Sequence, residues 1–162
     1  MPIHKNWSTW LLEFLGIAPA GPSEVEQVLR REYIWESQHS ARYRQHAKRM
    51  QYRQFRDALL RIAADEFTHL DWIAAMLRQI GSEPPAVPPI ASPEKNSWQS
   101  LLDLLEEEQR HVAEMLGQAA MIRDVAPAAA ELLERIYQEG KRHRDEVREM
   151  LMKSDPQANW LS

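Results

Sequence analysis

Ile62-Ala63-Ala64-Asp65-Glu66-Phe67-Thr68-His69-Leu70-Asp71-Trp72-Ile73-Ala74-Ala75-Met76 is the stretch that decides the fold. At helical spacing Ile62, Glu66, His69, Ile73 and Met76 share one face, which extends back through Leu59 to Phe55 and forward to Ile80. A carboxylate and an imidazole therefore occupy the middle of an apolar stripe. A surface helix would carry them on its outer side. Residues three apart on a helix lie on one face, so Glu66 and His69 can grip one metal ion from inside a bundle.

The same spacing recurs in Glu36-Ser37-Gln38-His39 and Glu108-Gln109-Arg110-His111, and Glu139 with His143 gives its i, i+4 form. Each pair again sits within a 3-4 rhythm. Val25, Leu29, Glu32, Glu36, His39, Tyr43, His46 and Met50 form one inward row. Trp98, Leu101, Leu105, Glu108, Val112, Met115, Ala119 and Ile122 form a second, and Leu132, Ile136, Glu139, His143, Val147 and Met150 a third. The chain is predicted to be all-α, with four helices over about 23–50, 53–81, 97–123 and 127–152. Residues 1–22 read as a short N-terminal helix and linker, and 153–162 as a tail.

The connections set the topology. Gly81 ends the second helix, and Pro84, Pro85, Pro88, Pro89 and Pro93 mark a long extended crossover. Asp124 and Pro127 mark a turn between helices three and four. Between helices one and two no Gly or Pro occurs, but Glu36 and Glu66 reach one height only if the chain reverses near Gln51. A shift of 72 residues superposes Glu36 and His39 on Glu108 and His111, and a shift of 74 superposes Ile62, His69 and Met76 on Ile136, His143 and Met150. Each half thus reads as a copy of one hairpin, giving an up-down, crossover, up-down bundle.

Composition narrows the chemistry. With 162 residues the chain suits one domain, and five Gly with abundant Ala, Leu, Glu, Arg and Gln favour helix. Without cysteine, thiolate catalysis, iron–sulfur clusters and Cys-bound zinc are excluded, so a metal must be held by His, carboxylate and water; that suits iron, manganese or zinc. A net charge of −4 gives no reason to expect nucleic acid, and the Arg42–Arg56 basic run reads as a solvated face. No apolar run approaches the roughly 20 residues of a membrane span. Lys5, the apolar patch Trp10–Ile17 and Ala18-Pro19-Ala20 have some likeness to a signal peptide, but Glu13 interrupts the patch, which favours the cytoplasm.

Glu36-Ser37-Gln38 followed by Ala41-Arg42-Tyr43 resembles the first-helix motif of rubrerythrins, and Asp65–Trp72 resembles the second metal-ligand helix of rubrerythrins and bacterioferritins. Over roughly Ser23 to Leu151 the chain is similar to the ferritin-like superfamily. The resemblance implies two iron ions, with manganese or zinc as alternatives, held between the helices. Glu36 and Glu108 would be single carboxylates, Glu66 and His69 the first Glu-x-x-His pair, and His143 the second histidine. It implies ferroxidase or peroxide-reducing work on dioxygen or peroxide, with an external electron donor in the peroxidase case, since no rubredoxin-type Cys domain is present. The other readings are a scaffold protein with a decayed ligand set and passive metal storage.

One position departs from the family pattern. Gly140 stands three before His143, where a second bridging Glu belongs, and Glu139 is turned from that direction by about 100° on an ideal helix. His111, one turn from Glu108, compensates in part, and His39 does likewise on the first helix. The centre is then altered, richer in histidine, filled by one metal, or lost. The candidate ligands are Glu36, Glu66, His69, Glu108, His111, Glu139 and His143. Trp7, Trp10, Leu11, Leu12, Phe14 and Leu15, with Trp160-Leu161, add apolar surface that predicts packing across the bundle or a homodimer or larger assembly.

Overall fold

The computed structural model describes residues 22–91 and 97–154. The N-terminal helix and signal-like segment, the linker before Pro22 and the tail from Asp155 lie outside the described residues. Four helices follow in order: α1 Pro22–Arg49, α2 Arg53–Gln79, α3 Ser97–Ile122 and α4 Pro127–Lys153. Among the described residues there is no strand, and no helix is long and apolar enough to cross a membrane.

The chain reverses between α1 and α2 at Met50–Tyr52, where the Met50 N–H bonds to Ala47 O at 3.2 Å and the buried Met50 side chain pins the corner. Hydrophobic anchoring replaces Gly or Pro here. At the far end of α2 the chain leaves through Gly81, at φ +81°. The Ser82 N–H bonds back to Leu77 O at 2.9 Å and the Gly81 N–H to Arg78 O at 3.0 Å. This paired closure needs a left-handed residue, which glycine adopts without a Cβ clash. Pro127 opens α4 at the position where a missing N–H is harmless.

Contacts between residues fix helix directions. Glu32 and Glu36 meet His111, whereas His39 and Tyr43 meet Glu108, so α1 and α3 run antiparallel. Asp65 and Glu66 meet His143 while His69 meets Glu139, so α2 and α4 do too. The end of α2 and the start of α3 therefore lie at opposite ends of the bundle. The described part of the proline-rich segment lies against α1. Arg30 Nη1 donates to Ser82 Oγ at 3.1 Å and to Glu83 O at 2.9 Å, and the Ser82 hydroxyl donates to Glu26 at 2.7 Å.

Two apolar clusters fill the ends of the bundle. One holds Val25, Leu29, Ile73, Leu77, Met115, Ile122, Leu133 and Ile136; the other holds Tyr43, Met50, Phe55, Leu59, Ile62, Leu101, Leu104 and Met150. Each fully buried aliphatic side chain contributes about 1.5–3 kcal/mol, so these two ends supply the folding energy that the layer between them opposes. Five inward assignments are not buried: Trp98, at the start of α3, and Ile80, just past the end of α2, are exposed, while Met76, Leu132 and Glu139 are half-buried, with Leu133 taking the fully buried place beside Leu132.

Candidate metal centre

Between the apolar clusters lies a layer of buried Glu32, Glu36, His39, Glu66, His69, Glu108, His111 and His143. The first helix contributes three, the second and third two each, and the fourth one. Burying so many ionisable groups is unfavourable unless they are paired or coordinate metal. The periodicity that filled the rest of each stripe with Leu, Ile and Met delivers these side chains to one level.

Three groups of buried side chains place one donor atom each within 4.8 Å of the others: Glu36–Glu66–His69, His39–Glu66–Glu108 and Glu32–Glu36–His111. Glu66 belongs to two of these groups and Glu36 to two. Of the seven ligands read from the sequence, Glu36, Glu66, His69, Glu108 and His111 are thus brought together. His143 stands beside them, with Nδ1 at 2.8 Å from Glu66 Oε1. Glu139 lies outside the three groups, its Oε2 at 2.9 Å from His69 Nε2 on the side of the ring away from Glu36 and Glu66. It stands behind a histidine rather than beside the carboxylates.

His69 and His143 are held alike. The Nδ1 atom of His69 faces Glu36 at 3.3 Å and Glu66 at 3.5 Å, while Nε2 faces Glu139. His143 turns Nδ1 to Glu66 and Nε2 to Asp65 Oδ2 at 3.1 Å. Asp65 lies four residues before His69, and Glu139 four before His143. Each histidine is therefore steadied by the carboxylate one turn before the other, the arrangement that fixes ring orientation in metal–histidine sites. Trp72 lies against His69 at 5.5 Å between centroids, and the Arg135 guanidinium lies 3.9 Å over the Trp72 ring while pairing with Glu139.

On the other side, Trp35 stacks on His111 at 4.4 Å and 16°, and His39 packs edge-on to Tyr43 at 4.8 Å. The Tyr43 hydroxyl donates to Glu108 Oε1 at 2.7 Å. Arg42 pairs with Glu107 at the edge of the layer.

The charges follow from these contacts. Burial pushes the Glu108 carboxyl up to about 8, helped by the nearby Glu66, with Tyr43 opposing. Burial holds the His39 imidazole down at about 4, so it is neutral. For Glu36, burial is outweighed by contacts with Glu66, His111 and His69, which hold its carboxyl down at about 2. Burial disfavours charge on His69, His111 and His143, but contacts with Glu36 and Glu66, with Glu32 and Glu36, and with Glu66 respectively carry them up to about 11, 10 and 9.

The donor set fits a transition metal better than a closed hydrogen-bond network. His111 Nε2 and Glu32 Oε2 are buried 3.1 Å apart without a well-aligned hydrogen bond, and His39 Nε2 meets only Glu107 at 3.7 Å. Buried polar atoms are normally satisfied, so contacts this loose leave donor capacity that an ion can take up. Imidazole with carboxylate and no thiolate suits iron, manganese or zinc. The side chains around Gly140, including Glu36, Glu66, Glu108 and His111, leave about 10 Å³ for the centre of a water-sized sphere, room for about one water.

His39, Glu32 and Asp65 lie in or against this layer and are not among the seven ligands read from the sequence. The signal for His39 was its own Glu36-x-x-His39 spacing, and Glu32 lies one turn before Glu36 on the same stripe. Asp65 is the counterpart of Glu139 under the 74-residue shift.

The rubrerythrin family model matches residues 27–151. No curated protein matches the chain. Among solved structures, Dps from Thermosynechococcus elongatus superposes with TM-score 0.72 at 20% identity, covering 93% of this chain and 98% of that one. Desulfovibrio desulfuricans bacterioferritin, whose structure is described by its diiron site in different catalytic states, gives TM-score 0.75 at 20% identity over 82% and 84%. A dodecameric thioferritin from Bacteroides fragilis, related to bacterioferritin, gives 0.73 at 14% identity over 83% and 88%. At such identities these likenesses establish the fold, a ferritin-like four-helix bundle.

Proposed function

The chain belongs to the rubrerythrin family, and on that premise we propose that its polar layer is a two-metal centre doing redox work on iron with dioxygen or peroxide. One observation carries this reading: Glu66 is common to the Glu36–Glu66–His69 and His39–Glu66–Glu108 groups. Glu66 would then be the carboxylate common to both cations, and His143, with Nδ1 against Glu66, would stand beside the second.

Iron, if held there, would supply one electron per ferrous ion to dioxygen or peroxide. The chain's own residues bind and orient. Glu139 and Asp65 keep Nδ1 of His69 and His143 turned inward. The apolar clusters above and below exclude bulk water, which strengthens every charge interaction between them. Glu108 holds a proton at neutral pH and accepts the Tyr43 O–H, so a proton is available at the carboxylate that must ionise to bind a cation. Peroxide reduction would draw electrons from a separate donor, since the chain has no cysteine to hold a redox centre of its own. A homodimer or larger assembly suits the exposed Leu60 and Phe67 on the outer face of α2.

Anaerobic titration with ferrous iron tests the proposal. Binding of at least two equivalents, followed by oxygen-dependent absorbance of an oxo-bridged ferric product, is the expected result. Absence of binding, or binding unchanged in Glu66→Ala, sinks it. Binding without oxidation would favour passive storage, and binding of one equivalent would fit the single-metal site that Gly140 in place of a bridging carboxylate allows.

A further inference from the structure

We propose that a second copy of this chain packs on the outer face of α1 and α2 about a two-fold axis, with Leu60 and Phe67 of each copy seated against the hollows of the other and Lys48 of each copy paired with the partner's Asp71. The pairing rests on the homo-oligomer reading above and gives it a face and a register.

The face is apolar and shaped to take side chains. Leu60 and Phe67 are 44% and 52% exposed, two turns apart and therefore on one side of α2. Phe67 stands between two adjoining hollows of about 340 and 310 Å³. Leu60, Ala63 and Ala64 line the first, Ser37, Ala41 and Leu70 the second, and Arg44 borders both. Small side chains at Ala41 and Ala64 let a facing helix approach closely, since interaxial distance follows the size of the residues at the contact.

The charges on this face identify its occupant. Among the described residues the side chains of Lys48 and Asp71 make no ion pair, and Arg44 donates to Ser40 rather than to a carboxylate, whereas Arg42, Arg56, Arg61 and Arg78 each meet a carboxylate. Unmatched cations thus stand at one end of the face and an unmatched carboxylate at the other. Ser40 Oγ donates to Ala63 O at 2.8 Å, which sets the two antiparallel helices level at that point. Lys48 lies eight residues beyond Ser40 toward the Met50–Tyr52 corner, and Asp71 eight residues beyond Ala63 in the opposite direction, each about 12 Å along its helix. A two-fold axis lying in the face at that level carries Lys48 of one copy to the height of the partner's Asp71, twice over. Lys48 borders the groove between the helices, so its flexible four-carbon stem covers the sideways offset to α2. The same rotation sets Arg44 at the height of the partner's Phe67, where a guanidinium can lie on the ring. A symmetric pair requires a patch that complements itself, which this one does. An acidic or basic protein of another kind would match one end of the face and oppose the other.

The face also backs onto the metal centre. Ser37, Phe67 and Leu70 are the next residues in sequence after Glu36, Glu66 and His69, so the second hollow is the outer side of the wall that carries one donor group. Pairing places another copy outside that wall and keeps bulk water one layer further from it.

Light scattering and sedimentation of the full chain test the pairing. The wild type should be a dimer or a multiple of one. Lys48→Asp or Asp71→Lys alone should weaken association roughly tenfold, and the two together should restore it, with salt reducing both effects. Both positions are exposed, and circular dichroism confirms that each variant folds. In a chain without cysteine, Ala64→Cys should join two copies through a short thiol-specific cross-linker. A monomeric wild type overturns the pairing and the homo-oligomer reading together. An assembled wild type that ignores both reversals and gives no cross-link through Ala64→Cys overturns the pairing alone and leaves assembly through another face. Cross-linking without a response to either reversal, or weakening by both reversals without rescue in the double variant, overturns the Lys48–Asp71 register.

Discussion

Gly140 lies against Glu108: a Cβ built on residue 140 would stand 3.7 Å from Glu108 Oε2 and 3.3 Å from Val112 Cγ2. The position where the family pattern places a bridging carboxylate is thus in contact with the carboxylate of α3. Glu108 and a residue-140 side chain would share the same space.

Gly140→Ala should stabilise the protein by up to about 1 kcal/mol, the difference in helix propensity, because the tight neighbour is a side-chain methyl that can move by a few tenths of an ångström. Gly140→Glu should behave differently. It adds a fifth carboxylate to the buried layer, and without metal the melting temperature should fall by an amount equivalent to about 1–3 kcal/mol. With zinc or manganese the order should reverse. A larger metal-induced rise in melting temperature than in the wild type is the expected outcome, and an equal or smaller rise counts against a metal centre beside Gly140.

Asp65→Asn and Glu139→Gln should weaken metal binding without removing a ligand. Each carboxylate steadies the outer nitrogen of a histidine on the opposite helix, at 3.1 Å and 2.9 Å. Loss of such a partner typically lowers metal affinity 10–100-fold. Competition with a metal-binding dye should show a drop of roughly tenfold in each variant with unchanged stoichiometry. Unchanged affinity would mean that neither contact orients a ligand.

The helix stripes were legible because apolar burial repeats every three to four residues, and the stripe of α1 is buried at every position from Val25 to Met50 that the sequence picked out. The exposed Trp98 and Ile80 were not, since periodicity carries no information on where a helix outruns its neighbours. For the site, Glu66 and His69 could be paired from their spacing within one helix. Glu139 could not be placed: its partner is His69, 70 residues away, and only the packing of α4 on α2 decides which side of that ring it meets. Glu32 was seen to face inward, but its convergence with His111 depends on the register of α3 against α1.

Tyr43→Phe isolates one hydrogen bond. The hydroxyl donates to Glu108 Oε1 at 2.7 Å inside the core, and its removal should destabilise the metal-free protein by about 1–2 kcal/mol. It should also move the Glu108 carboxyl further up from about 8, since Tyr43 opposes the effect of burial. Infrared titration of the protonated carboxyl band near neutral pH reads that shift directly. A band that titrates lower than in the wild type would contradict the assigned contact.

The metal-free protein should be most stable in mildly acid solution and lose stability above about pH 6.5. Glu36, held at about 2 against an ordinary 4.5, contributes stability that is present above 4.5 and lost as pH falls through 2. Between 4.5 and 6.5 two groups oppose each other. His39, held near 4, binds its proton only after unfolding, so its contribution rises with pH, whereas Glu108, held near 8, keeps a proton that the unfolded chain has released. Above 6.5 the balance breaks. His69, His111 and His143 contribute stability that is whole below 6.5 and disappears as pH rises through about 9 for His143, 10 for His111 and 11 for His69. Glu108 acts in the same direction up to about 8. Metal binding at pH 7 must then displace protons from as many of these four groups as it ligates, so calorimetry in buffers of different ionisation enthalpy should report net proton release. Denaturation of the chelated protein from pH 4 to 10 should trace a plateau followed by a decline, and the metal-loaded protein should lack the decline. Stability of the chelated protein that climbs between pH 6.5 and 9 would show that these histidines are not held protonated by the buried carboxylates.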